Sequence, residues 1–430
     1  MALITPAEAL EYVVGSCSVL GAVDMVIDSA LGCVLAADVA SDVAVPPFPN
    51  TAMDGYAVRA ADTATVPCVL PVVATLPAGA SPVGLTVGPG EAIRIMTGAP
   101  MPDGADAVVP VENTRRSAPD SDTVEIIQSA GVGDAVRPAG EDIAAGQAVF
   151  RAGTELHAGH LGVLASIGRS TAPVVRRPRV GVLSTGDELV EGGHSLGPGQ
   201  IYDSNRHTLL ALVARVGCEP VDLGLARDDE HVIEAAIRDG LSNCDALVTS
   251  GGVSMGDFDW VKVVLNRLAD TAADNNPSDD PSDNALGRPD AVGGMRWMQI
   301  AIKPAKPLAF GVIFGKPVFG LPGNPVSSMV SFELFARPAL RKMAGHRVEM
   351  WNRPTVRAIA DEPLARSVDA KTHYVRVRAA FGPDGRIHVR SSGGQASNLL
   401  RAMALADALA VLPDGPGVVA GGEVDVLLLD

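Results

Sequence analysis

Hydrophobic and polar positions along this chain change their period twice, and each change marks a different kind of structure. From Arg179 onward, short apolar runs alternate with longer amphipathic segments. Val180–Thr185, Pro220–Leu225, Ala246–Thr249, Met298–Ile302, Leu308–Phe314 and Pro317–Leu321 read as buried strands. Between them, helices are predicted from Ser204-Asn205 to Gly217 and over Asp229–Leu241, Trp260–Leu268 and Pro325–Ala344, the last with proline in its first turn. Repeated strand–helix units predict a doubly wound, mostly parallel sheet covered on both faces.

The stretch from 50 to 145 reads differently. Gly55–Arg59, Glu91–Met96, Ala107–Val111 and Thr123–Ile127 are short β-branched segments broken by Gly, Pro and Asp, which predicts an all-β module. It starts after Val45-Pro46-Pro47-Phe48-Pro49-Asn50, where proline removes backbone donors and no helix continues. The first 45 residues read as helices opened by Thr5-Pro6, and the helical stretch Leu156–Ile167 is expected to pack against them. After Arg353, the segments Tyr374–Ala380, Arg386–Arg390, Ala408–Leu412 and Val424–Leu429 predict a small closing β domain. The expected domains are 1–45 with 145–176, then 46–144, 177–348 and 349–430, a multidomain α/β plus β chain.

Composition narrows the function. With a net charge of −16 and 4% aromatic residues, the chain lacks the basic face and stacking platform of a nucleic-acid binder. No apolar run approaches the roughly 18 residues of a membrane helix, and the first basic side chain is Arg59, so neither a membrane span nor a signal peptide is expected. Five cysteines, Cys17, Cys33, Cys68, Cys218 and Cys244, are widely spaced and read as small hydrophobes of a reducing, cytoplasmic compartment. Arg outnumbers Lys 28 to 6, so two lysines within four residues, Lys303 and Lys306, stand out. The segment 270–294 carries five Asp between Asp270 and Asp283 and reads as a solvated loop.

In an open α/β sheet ligands bind beyond the carboxyl ends of the strands. Here those ends lead into Ser184-Thr185-Gly186-Asp187-Glu188, Arg227-Asp228-Asp229, Ser250-Gly251-Gly252-Val253-Ser254, Lys303-Pro304-Ala305-Lys306 and Pro322-Gly323-Asn324-Pro325. The Gly-Gly turn lets backbone N–H groups approach a phosphate, or is a plain turn. Gly323-Asn324-Pro325 reads as a helix N-terminus suited to an anion, or as an ordinary turn. Asp187, Glu188, Asp228 and Asp259 suit a hard cation such as Mg²⁺ with phosphate oxygens, whereas Asp228 or Asp229 could equally cap the following helix. Lys303 and Lys306 would neutralise oxyanions. His157 and His160, without further ligands at zinc spacing, read as packing or surface residues.

As an ordered set, the strings Ala52-Met53-Asp54-Gly55-Tyr56-Ala57, Ile95-Met96-Thr97-Gly98-Ala99-Pro100, Gly140-Glu141-Asp142-Ile143, Ser184 to Leu189, Ser250 to Ser254, Lys303 to Pro307 and Leu321 to Ser327 resemble the MoeA family. These are molybdopterin molybdenumtransferases related to the gephyrin E domain. The resemblance implies a central α/β molybdopterin-binding (MogA-like) domain, a β lid domain, a split helical linker domain and a C-terminal small β-barrel. It implies a homodimer that converts adenylylated molybdopterin and molybdate into molybdenum cofactor, releasing AMP, with Mg²⁺ as cofactor and molybdopterin adenylyltransferase as the upstream partner.

On that resemblance, Asp187, Glu188, Asp228 and Asp259 handle Mg²⁺, pyrophosphate or the attacking water, with Glu188 and Asp228 as metal ligands. Ser250, Gly251, Gly252 and Ser254 cradle the adenylate phosphate. Lys303, Lys306, Pro322, Gly323, Asn324 and Pro325 hold anionic oxygens, and Asp54, Thr97, Gly98 and Asp142 complete the cleft from the partner's lid. Ser397, in Gly394-Gln395-Ala396-Ser397, resembles a C-terminal position at the same opening. Ala305 and Trp260 depart from the family's usual glycine and tyrosine. Two rivals share parts of this architecture: molybdopterin adenylyltransferase, built essentially from the α/β domain alone, and a gephyrin-like scaffold that keeps the pocket.

Overall fold

The computed structural model describes residues 3–115, 122–252, 260–274 and 294–429. The chain forms two compact units, one of residues 1–23, 32–36 and 173–430, the other of 24–31 and 37–172.

The first unit is built on a six-stranded sheet. In spatial order its strands are Glu219–Ala226, Arg179–Thr185, Ala246–Ser250, Lys316–Leu321, Pro307–Ile313 and Met295–Gln299. The first four are parallel and the last two pairings are antiparallel, so the expected mostly parallel sheet ends in an antiparallel edge. The reason is a two-residue hairpin: Phe314 and Gly315 both adopt positive φ (49° and 75°), the conformation that matches strand twist in tight turns. Two reversals in succession return Met295–Gln299 to the parallel direction, so its carboxyl end points to the same rim as the others.

Alternation along each strand feeds two cores. Val180, Val182, Val248, Phe310 and Phe319 pack with the Asn205–Arg215 and Pro325–Ser331 helices, while Leu183, Leu247 and Val318 pack with Glu230–Asn243 and Trp260–Asp274. The first helix, Pro6–Gly15, is closed by a Thr5–Glu8 capping box and buries Ala9 and Val13 in the first of these cores.

Four expectations change in the structure. The first 45 residues are not all helical: beyond Gly15 they form the strand Ala22–Val26, a 3-10 turn at Ile27–Ser29 and the strand Val39–Ala40. Val39–Ala40 pairs with Ala148–Phe150, so non-local pairing overrides local propensity. The predicted Pro325–Ala344 helix is interrupted by a π-turn over Phe332–Ala336, just before Pro338, whose missing N–H cannot continue a regular ladder. The predicted Met298–Ile302 strand ends at Gln299, and Ile302–Lys303 instead joins the C-terminal sheet. The Trp260 helix runs on to Asp274, into the expected acidic loop, whose residues 275–293 lie outside the described residues.

The C-terminal domain is a closed barrel of Thr372–Phe381, Ile387–Ser391, Thr355–Ala360, Glu423–Leu428 and Ala408–Leu412, with the last strand pairing back on the first. In the second unit, Gly55–Val58, Ala92–Ile95, Ala107–Pro110 and Thr123–Ile126 fall where predicted and share a sheet with Cys68–Leu76. The predicted helix after 156 is Ala158–Ser166, and it contacts the Ile27–Ser29 turn.

Phe310 is fully buried, 5.1 Å from Phe319 and 5.7 Å from Tyr12 between ring centroids. Phe310→Ala is expected to destabilise the first unit by about 3–5 kcal/mol, the usual cost of an emptied aromatic site. Urea unfolding followed by tryptophan fluorescence measures it, and a loss below about 1 kcal/mol would contradict this packing.

Candidate functional site

Three parallel strands end in register at one rim, with Ser184 opposite Ser250 and Ser250 opposite Leu321. The turn after Ser250 needs its glycines. Gly251 has φ +94°, and a Cβ there would stand 2.9 Å from the Thr185 carbonyl oxygen. Its N–H donates to the Leu321 carbonyl at 3.2 Å, and Gly252 is also left-handed at +71°. The Gly251 and Gly323 backbones thus lie side by side.

Asn205 ties this rim together. Its Nδ2 donates to Ser250 Oγ and to the Gly323 carbonyl, both at 2.7 Å. Beneath it, buried Asp203 accepts from Ser184 Oγ at 3.1 Å and from Arg206 Nε at 3.0 Å, and Arg206 also pairs with Asp222 and Glu191. Asn205 is predicted only as a helix start, and its bridging role comes from the tertiary meeting of three strand ends.

The carboxylates at the rim are exposed. The Asp187 N–H lies 3.4 Å from Asp228 Oδ2, and the Asp228 N–H donates to Asp187 Oδ1 at 3.2 Å, so each loop partly satisfies the other. Asp229, not Asp228, caps the next helix, accepting from the His231 and Val232 N–H groups. Glu188 folds back over Gly186, where a Cβ would stand 2.4 Å from its Oε2. Among the described residues no three His, Cys, Asp or Glu side chains converge as a ready metal cage. Ser254 and Asp259 lie outside the described residues.

The second polar concentration is a groove of about 740 Å³ between the Lys303–Lys306 turn and the C-terminal barrel. Lys303, Lys306, Ser327, Arg366, His373 and Ser397 are among its lining. Lys303 and Lys306 are exposed, and neither has a carboxylate partner among the described residues. Ala305 between them is buried with φ +73°, left-handed without the glycine usual there. Arg366 is spent on structure: it donates to the Lys371, Leu412 and Pro413 carbonyls and to Asp369 and Asp414. Pro322, Asn324 and Pro325 lead from the rim into the helix beside the groove, but the Val326 N–H already donates to the Ser397 carbonyl at 3.1 Å. That helix start therefore has fewer free donors than its sequence suggests. Arg366, Asp369 and His373, joined by contacts local to the barrel, escaped the sequence reading, and Ser327 entered it only as the end of a motif; the meeting of two domains sets Ser327 beside Arg366 and His373 along one groove.

In the second unit, Asp54 Oδ1 accepts from Thr97 N–H at 2.7 Å and from Thr97 Oγ1 at 2.6 Å. These bonds, the hydroxyl first, hold the Asp54 carboxyl below its usual range. Gly98, at φ +81°, donates its N–H to the Thr51 carbonyl. Asp142 is exposed, its N–H bonded to the Val45 carbonyl, and no hydrogen bond joins it to Asp54 or Thr97.

Comparison with known proteins agrees with this architecture along nearly its whole length. Residues 4–168 match the MoeA N-terminal region (domain I and II), 181–279 the "probable molybdopterin binding domain", and 359–429 the MoeA C-terminal region (domain IV). Molybdopterin molybdenumtransferase of Haemophilus influenzae is 37% identical over 391 residues, covering 91% of this chain and 89% of that protein. Molybdopterin molybdenumtransferase 2 of Mycobacterium tuberculosis is 38% identical over 400 residues, covering 91% of each. A crystal structure of the molybdopterin biosynthesis MoeA protein of Pyrococcus horikoshii superimposes with a TM-score of 0.76 at 26% identity, covering 99% of this chain and 100% of that one. Three family models matched in order along the chain, with relatives 37–38% identical over about nine-tenths of it, show that the chain belongs to the MoeA family.

Proposed function

We propose that this chain is a molybdopterin molybdenumtransferase, which takes molybdenum from molybdate and places it on adenylylated molybdopterin with release of AMP. The observation that carries the reading is the pair of exposed lysines without carboxylate partners, Lys303 and Lys306, on a groove that also presents Ser327 and Ser397. Fixed cations beside hydroxyl donors are what a small tetrahedral oxyanion requires. A gephyrin-like scaffold has no use for such a groove, and an adenylyltransferase of the α/β domain alone lacks the barrel that walls it.

The Ser250-Gly251-Gly252 turn, held by Asn205, receives the phosphate of the adenylate. The donor set at the rim fits Mg²⁺, which commonly takes one or two carboxylates together with substrate phosphates and water. Glu188 and Asp228 would hold the ion and Asp187 would steady the Asp228 loop, with Asp259 a fourth carboxylate in the same role. When bound, Mg²⁺ neutralises charge on the pyrophosphate. Positioning by the chain's own groups does the rest, since no nucleophilic side chain is needed. The assembly is a homodimer in the cytoplasm, supplied by molybdopterin adenylyltransferase, in which the Asp54–Thr97 pair, Gly98 and Asp142 of one copy serve the other's site. The five cysteines are free, and among the described residues no helix is long and apolar enough to cross a membrane.

The decisive assay follows AMP release from adenylylated molybdopterin in Mg²⁺ with and without molybdate. Molybdate-dependent release, with a product that activates an apo-molybdoenzyme, is expected; tight binding without turnover would instead support a carrier. Asp228→Ala should cost roughly 10²-fold or more in turnover and weaken Mg²⁺ binding by calorimetry without loss of folding. Undiminished AMP release from this variant would remove Asp228 from the site. Lys306→Ala should raise the molybdate KM roughly tenfold while kcat stays within a few-fold, as for one lost charged hydrogen bond. An unchanged KM would move the oxyanion elsewhere.

A further inference from the structure

The groove's lining includes a histidine, His373, that anion binding leaves unused and that an aspartate outside the lining, Asp369, holds in place. His373 lies at the start of the Thr372–Phe381 strand and is the register partner of Lys303, so both side chains project from the same face of that sheet. Its Nε2 stands 3.0 and 3.2 Å from the two oxygens of Asp369. Nδ1 has no partner among the described residues. Asp369 itself is fixed by Arg366 at 2.9 Å and Lys371 at 3.3 Å. A carboxylate holding one ring nitrogen, with the other left open, sets the tautomer and orientation of an imidazole that accepts a proton.

The remaining lining makes the assignment selective. Lys303, Lys306, Lys371 and Arg366 are donors with no acceptor capacity when charged. Tyr374 also lines the groove, and burial pushes its hydroxyl up to about 12, so it stays protonated. Among the titratable lining residues, His373 is left as the group able to take up and return a proton near neutrality.

We propose that His373, oriented by Asp369, is the proton carrier of the groove, taking a proton from an attacking dithiol sulphur and returning it to the departing molybdate oxygen. This rests on the molybdenumtransferase reading above. Two sulphur–molybdenum bonds form and one molybdenum–oxygen bond breaks. The two thiol protons and the released oxygen leave together as one water, the total charge is conserved, and nothing is oxidised or reduced. Each thiol proton passes through Nδ1, and Asp369 stabilises the transient imidazolium.

The groups facing His373 fix the sign of its pH dependence. Burial lowers its pKa, Arg366 and Lys303 push it further down, and Asp369 opposes them. Lys371 and Lys306 add positive charge from the neighbouring turns, while Asp414 faces Arg366 rather than the imidazole. The carrier is therefore neutral and competent at pH 7, and turnover falls on the acid side as it protonates.

The test uses the full chain with adenylylated molybdopterin, molybdate and Mg²⁺ between pH 5 and 9. His373→Gln should lower kcat roughly 10²-fold, leave the molybdate KM within about threefold and abolish the acid limb of kcat. Asp369→Asn, which removes the group holding the imidazole pKa up, should move that limb to lower pH; it also serves if His373→Gln does not fold. A raised KM with unchanged kcat, an acid limb that persists in His373→Gln or an unmoved limb in Asp369→Asn would overturn the assignment. If the wild-type chain shows no molybdate-dependent transfer, the underlying reading falls and takes this proposal with it. Normal wild-type transfer with indifferent variants rejects His373 alone.

Discussion

The groove depends on a short segment that belongs to two sheets at once. Gln299 and Pro307 pair across the edge of the α/β sheet, and the Ile300 N–H closes on the Lys306 carbonyl at 2.7 Å. Between them, Ile302 and Lys303 pair with Thr372 and His373 at the start of the barrel. The loop's backbone is thus stitched on both sides, which fixes where its two exposed lysine side chains leave the chain. A second stitch, from the Val326 N–H to the Ser397 carbonyl, fastens the barrel's own loop to the helix beside it. Confinement of this kind lowers the entropy lost when an anion is gripped.

A net charge of −16 surrounds a local concentration of lysine and arginine. The two facts are compatible because fixed donors at short range outweigh a diffuse, salt-screened field. Arg366 shows how the fold keeps these roles apart. It spends its donors on carbonyls and two aspartates, building the wall, while Lys303 and Lys306 keep theirs free.

Element type was largely legible in the sequence wherever local pattern and final environment agree. The strands of the central sheet and the helix after Asn205 are examples, since their apolar positions face one core on each side. Legibility failed where the partner is distant. Val39–Ala40 takes up a short strand because Ala148–Phe150 offers pairing, and Ile302 leaves the sheet of its neighbour for a barrel that lies later in the chain. The site divides in the same way. Glycines at Gly251 and Gly252 and the unusual lysines at Lys303 and Lys306 advertise themselves by residue type. Asn205, Asp369 and His373 do not, because an amide or an Asp–His spacing acquires meaning only when another segment arrives opposite it.

The two-residue strand Ile302–Lys303 also answers a problem of geometry in the barrel. Thr372–Phe381 is longer than its neighbour: Ile387–Ser391 covers only Val377 to Phe381, which would leave the first residues of the long strand with unsatisfied backbone on that side. Ile302 and Lys303 occupy part of that gap at Thr372 and His373. Open strand edges are templates for pairing between molecules. By lending two residues and a charged side chain to the vacant stretch, the α/β sheet shields the barrel from edge-to-edge association, so the segment that shapes the groove also guards the chain's solubility.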